Sequence, residues 1–138
     1  MRPLADIEAD IDAPLCAPPS EEAARLVAIG EEILSAWLVT KGVAPTRATS
    51  EGSRLLALHR QGAKGDPSFN ACRETCRELV YRLNLLRDPG DWTQAPRTLE
   101  DMRALARHLA YFIGGKMDDA RLGEFCCSSR PLRIDNES

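Results

Sequence analysis

Four of the five cysteines stand in pairs, Cys72 with Cys76 and Cys126 with Cys127, and Cys16 stands alone. Thiols four residues apart on a helix project from one face, one turn apart. At that spacing two thiolates can hold a soft metal such as Cu(I) or Zn(II), or close a disulfide after some distortion. Cys126 and Cys127 are neighbours, whose side chains diverge in regular structure, so a vicinal bond would strain the peptide. A tetrahedral four-sulfur site built from Cys72, Cys76, Cys126 and Cys127 is thus one chemistry the chain can offer, although structural zinc sites favour tighter knuckles on loops. Against it stands simple packing, because a buried free cysteine behaves as a small hydrophobe. Cys72 and Cys76 lie in an apolar series, and packing is the reading favoured for that pair. An odd cysteine count without an export signal points to a reducing compartment, the cytoplasm.

The two histidines add one further pattern. Arg103-Ala104-Leu105-Ala106-Arg107-His108 is formally similar to the R-x4-H element of HEPN-type ribonucleases, small and often dimeric helical bundles. Such a resemblance would imply RNA cleavage by Arg103 and His108 across a dimer. Arg54 to His59 fits the same spacing, and both matches have an apolar residue after the arginine where that family prefers a polar one. As a structural residue, His59 is expected at a helix C-terminus, interacting with the dipole, and His108 at a partly exposed boundary. No P-loop, dinucleotide-binding glycine motif, nucleophile elbow or H-E-x-x-H zinc motif is present. Arg73 and Arg77 share a face with Glu74 and Glu78, which reads as a salt-bridged solvated surface.

The elements that must position these groups follow from composition. With 138 residues, 43% of them hydrophobic and 28% charged, the chain suits one globular domain with a real core. Seventeen Leu and 18 Ala against four Val and six Ile favour helix over sheet. No apolar stretch reaches the ~20 residues that span a bilayer. Net charge is −3, unevenly placed: residues 1–35 carry −6, residues 36–134 carry +5 and the last four carry −2. Such a split can mark an acidic arm lying over a basic surface, or merely a solvated acidic tail. A pI of 5.4 and the lack of an arginine–aromatic cluster count against nucleic acid.

The expected architecture is an all-α four-helix bundle over 20–127, a short fifth helix included, with an extended acidic and proline-rich arm over 1–19 and an irregular tail over 128–138. Pro18 and Pro19 end the arm. Ser20 is an N-cap for a helix that stops at Lys41 and Gly42. A second helix starts between Thr46 and Ser50 and ends at Gly62. Asp66 and Pro67 restart a third, with Phe69, Cys72, Cys76, Leu79, Leu83 and Leu86 as a heptad seam. Thr98 opens a fourth with Leu99, Met102, Ala106, Leu109 and Ile113, stopped by Gly114 and Gly115. Trp37, Leu38 and Val39 in succession exceed one apolar stripe, so a homodimer is expected to cover the surplus. The function expected is a small non-catalytic interaction module, an accessory, adaptor or regulatory protein contacting another protein. A thiol-based metal or redox sensor is the alternative, and the ribonuclease a remote third.

Overall fold

The computed structural model describes residues 2–13, 17–87 and 92–126, with side chains up to residue 120. It is all-α, as composition required: α1 spans Leu4–Ile11, α2 Pro19–Thr40, α3 Arg54–Ala63, α4 Arg73–Arg87 and α5 Ala95–Cys126, with a 3-10 helix, Pro67–Cys72, leading into α4. Among the described residues the one β-type pairing is an isolated bridge between Ser50 and Ser53.

Helix α2 is the axis of the molecule and packs against each of the other four α-helices. At Gly30 an added Cβ would lie 3.3 Å from Leu55 and 3.6 Å from both Leu79 and Leu109. Three neighbouring helices therefore converge on a position where no side chain intervenes. The two seams read from the sequence form much of the core. Phe69, Cys72, Cys76, Leu79, Leu83 and Leu86 are all buried, as are Met102, Ala106, Leu109 and Ile113, while Leu99 is half-buried.

The N-terminal segment departs from expectation. Residues 4–11 are not an extended arm but a helix, and Ile7 and Ile11 on it are fully buried. An i, i+4 isoleucine pair is enough to dock one short amphipathic helix on α2 and α5. Its open C-terminal carbonyls find a donor in α2: the Arg25 guanidinium donates to the carbonyls of Asp10 at 2.5 Å, Ile11 at 3.4 Å and Ala13 at 3.2 Å. The cost of a short helix is thereby met from outside it.

Other boundaries differ as well: α3 begins at Arg54, after the expected Thr46–Ser50 start, and α5 at Ala95, before Thr98. Helix α2 begins at Pro19 with Pro18 as N-cap, so Ser20 lies inside it. Gly114 and Gly115 do not end the last helix, and the separate fifth turn expected beyond them is part of α5. A glycine stops a helix when it takes a left-handed conformation, as Gly42 does with φ 76°. Gly114 and Gly115 keep negative φ and cost only propensity, about 1 kcal/mol each. Gly114 also leaves room for Leu4 of α1, whose Cδ2 would lie 3.6 Å from an added Cβ.

Candidate functional site

Two polar assemblies lie in this helical frame. The first is buried, beneath the join of the 3-10 helix and α4. Cys72 and Cys76 are free thiols with no solvent exposure. His59 of α3, 5% exposed, meets them here and does not act as a helix-end residue. The carbonyl of Phe69 accepts from both His59 Nε2 at 2.9 Å and the Cys72 thiol at 3.3 Å. Phe69 lies tilted on the His59 ring, centroids 5.3 Å apart, and edge-on to Phe112 at 5.8 Å. A Cβ on Gly62 would come within 2.6 Å of the Phe69 ring, so the α3 backbone itself forms one wall.

The cluster splits the acidity of its thiols. A hydrogen bond from Cys76 pulls Cys72 below the ordinary thiol range against the opposing effect of burial, and His59 assists. Cys76 moves the other way, because its bond to Cys72 and its burial both keep it a thiol. Burial opposes a charge on His59, but its bonds to Cys72 and Phe69 outweigh that and raise it. Among the described residues no group of three or more His, Cys, Asp or Glu is arranged to hold a metal. Of the proposed four-sulfur set, Cys72 and Cys76 lie together here, the side chain of Cys126 at the end of α5 is outside the described set, and Cys127, like Cys16, lies outside the described residues.

The second assembly lies above the first. A cavity of about 380 Å³ is lined by Glu51, Leu56, His59, Arg60, Ala63, Lys64, Asn70, Arg73 and Arg77. Four cations face it against one acid. Arg77 reaches that acid, Glu51, at 3.3 Å, and Arg60 donates to Ser50 Oγ at 3.2 Å. The side chains of Lys64 and Arg73 make no hydrogen bond or ion pair among the described residues. The solvated salt-bridge ladder expected of Arg73, Arg77, Glu74 and Glu78 does not form: Glu78 pairs with Arg82 instead, at 3.3 Å. Glu74, three residues before Arg77 on α4, was the partner within its own helix, but Arg77 pairs with Glu51 from the turn before α3. This is the site that sequence reasoning missed. Its signal was the surplus of bases over acids between residues 54 and 77, whose convergence only tertiary structure supplies.

A larger recess, about 660 Å³, carries both signs, and its acids are already held: Arg2 pairs with Glu32 at 2.7 Å and Arg54 with Glu31 at 3.5 Å. The R-x4-H residues fare no better as a site. Arg103 is engaged by Glu22 at 3.2 Å and by Glu100 at 3.5 Å, His108 is exposed, and Arg54 donates to the Thr46 carbonyl at 2.9 Å. Trp37 and Leu38 are buried within one chain and Val39 alone of the three is exposed, which removes most of the surplus invoked for a homodimer. No helix among the described residues is long and apolar enough to cross a membrane. No protein-family model, no curated protein and no solved structure matches the chain.

Proposed function

We propose that the chain is a small non-catalytic helical interaction module, accessory, adaptor or regulatory in role, that binds an acidic group of a partner protein through the α3–α4 face. The observation that carries this reading is the unequal use of charge. The acidic N-terminal third is largely matched internally by Arg2, Arg25, Arg54, Arg103 and Arg107. The cations around the cavity are left with one carboxylate among four. Unpaired like charges around one recess repel each other and raise the local potential, a cost that a bound anion relieves. Anisotropy with a labelled glutamate-rich peptide tests it: the native chain binds, and the double variant Arg73→Glu/Arg77→Glu does not. Equal binding by the two would contradict the reading.

A second reading, a thiol-based sensor, is favoured by one observation, two buried free thiols one turn apart with Cys72 and His59 sharing the Phe69 carbonyl, an arrangement that lowers Cys72 and raises Cys76. Dilute hydrogen peroxide would then convert the two thiols to one disulfide with release of two waters. Thiol titration would fall by two per chain and recover with dithiothreitol. An unchanged count, with no zinc or copper in the purified protein, would eliminate it. Both readings place the protein in a reducing compartment, the cytoplasm, where such thiols persist.

A further inference from the structure

The basic cavity has features that narrow its ligand. Three of its four cations are arginines, and the planar guanidinium fork matches phosphate oxygens in a way an ammonium does not. Arg60 and Lys64 come from the end of α3, and Arg73 and Arg77 from the start of α4. These two segments are tied together underneath by the His59–Phe69 hydrogen bond at 2.9 Å, so the helix ends from which the cations extend are held side by side. The volume, about 380 Å³, lies within the range of small-ligand sites.

The acid at the rim is placed there at a cost. Ser50 and Ser53 exchange both backbone hydrogen bonds at 3.0 Å, closing a two-residue turn. Glu51 and Gly52 at its centre both have positive φ, 54° and 79°. Turns of this kind favour Asn or Asp before Gly, because the left-handed region is unfavourable for a longer side chain. Glutamate stands there nonetheless, and its carboxylate is 3.3 Å from Arg77. The pair is largely solvent-exposed on both sides and so adds little to stability. What the arrangement supplies is a carboxylate at the edge of a cationic recess, where an incoming anion would compete for Arg77.

We propose that this cavity is a binding site for a phosphate monoester, carried by a partner protein as a phosphorylated side chain, with Glu51 as the internal anion that the phosphate displaces. The proposal rests on the reading of the α3–α4 face as the working surface and narrows it to one chemical group. A monoester is favoured over the diester backbone of a nucleic acid for two reasons. The cations surround one recess and do not form a track, and the chain as a whole is acidic, with net charge −3.

Isothermal titration of the full chain with four probes tests it: inorganic phosphate, a glycine-flanked phosphoserine peptide, the same peptide with glutamate in place of phosphoserine, and a single-stranded RNA oligonucleotide. The phosphoserine peptide should bind about tenfold tighter than its glutamate counterpart, since a dianion with three acceptor oxygens engages more than one guanidinium. Arg73→Ala should weaken phosphate and phosphopeptide roughly tenfold, whereas Arg97→Ala, an exposed site on α5, leaves them unchanged. Glu51→Gln should strengthen both about threefold by removing the competitor. Weaker binding by Glu51→Gln, RNA binding as tight as the phosphopeptide, or no preference for phosphate over glutamate would each overturn the phosphate assignment. If the glutamate peptide binds equally well and Arg73→Ala abolishes it, the module reading stands without this inference. If neither peptide binds, both fall.

Discussion

Arginines near the N-terminal helix and arginines around the cavity are the same residue used in opposite ways. Arg25 and Arg103 converge on Glu22, which is only 3% exposed, and Arg25 also serves the end of α1. Arg107 extends the network to Asp12. Their hydrogen bonds, first that of Arg25, hold the Glu22 carboxyl below the ordinary carboxylate range although burial pushes the other way. Here charge fastens one segment to another. Across the molecule Arg73 and Lys64 fasten nothing, and Arg77 and Arg60 reach only a strained turn. A charged side chain with no internal partner contributes little to folding, so its placement in a recess beside three like charges asks for an explanation outside the fold.

Substitutions that separate stability from binding sharpen this contrast, beginning with the largest effect. Glu22→Gln leaves two partly buried guanidinium groups without their carboxylate and should lower stability by about 2–3 kcal/mol, below the full value for a sealed pair because the arginines retain water contact. Urea titration reads it. The pH dependence follows with a definite sign. Because the folded-state pKa of Glu22 is depressed, its contribution is present above the ordinary value of 4.5 and is lost as pH falls through the folded value. The acid limb of a stability–pH curve should therefore flatten in Glu22→Gln.

Beneath the cavity the expected effect is next in size. Gly62→Ala drives a methyl into the Phe69 ring, a contact of 2.6 Å that neither the helix nor the closely packed ring can relieve cheaply. A loss of about 2 kcal/mol is expected, within the range for overpacked cores. The thiols come third. Cys72→Ala should cost about 1 kcal/mol, as for a small core truncation. Cys76→Ser should cost more than Cys72→Ser, because a hydroxyl at 72 inherits the Phe69 carbonyl as acceptor while one at 76 has only its neighbour. Equal costs for the two serine variants would remove the asymmetry drawn here. Smallest is Glu51→Gly, expected to stabilise the chain by about 0.5–1 kcal/mol by relieving the left-handed position.

What could be read in advance was local. The seam from Phe69 to Leu86 follows from spacing alone, since the 3.6-residue period and the apolar residues agree over four turns. The stop at Lys41 and Gly42 followed from the glycine, which takes a left-handed conformation just after the C-cap Lys41. Helix α1 was hidden because its two isoleucines sit among prolines and acids, and its docking depends on α2 and on Arg25, fifteen residues beyond Asp10. Continuation through Gly114 and Gly115 was hidden because a glycine pair reads as a stop, whereas neither residue takes the left-handed conformation that ends a helix. His59 was placed on the correct helix yet missed as a partner of Cys72, because the link passes through the Phe69 carbonyl ten residues away. The cavity was the least legible feature: Arg73 and Arg77 suggested pairing along their own helix, and the acid that answered one of them came from a turn.

The central claim is that cations in the two regions do different work, and one paired experiment addresses it directly. Arg73→Glu and Arg103→Glu carry the same charge change. Each is compared with the native chain by urea unfolding and by anisotropy with the glutamate-rich peptide. The account predicts that Arg73→Glu abolishes binding and leaves stability within about 0.5 kcal/mol, as for an exposed charge. It predicts that Arg103→Glu, placed against the buried Glu22, lowers stability by at least about 2 kcal/mol while the folded fraction still binds. Loss of stability in the first with full binding, or loss of binding in the second while folded, would contradict it.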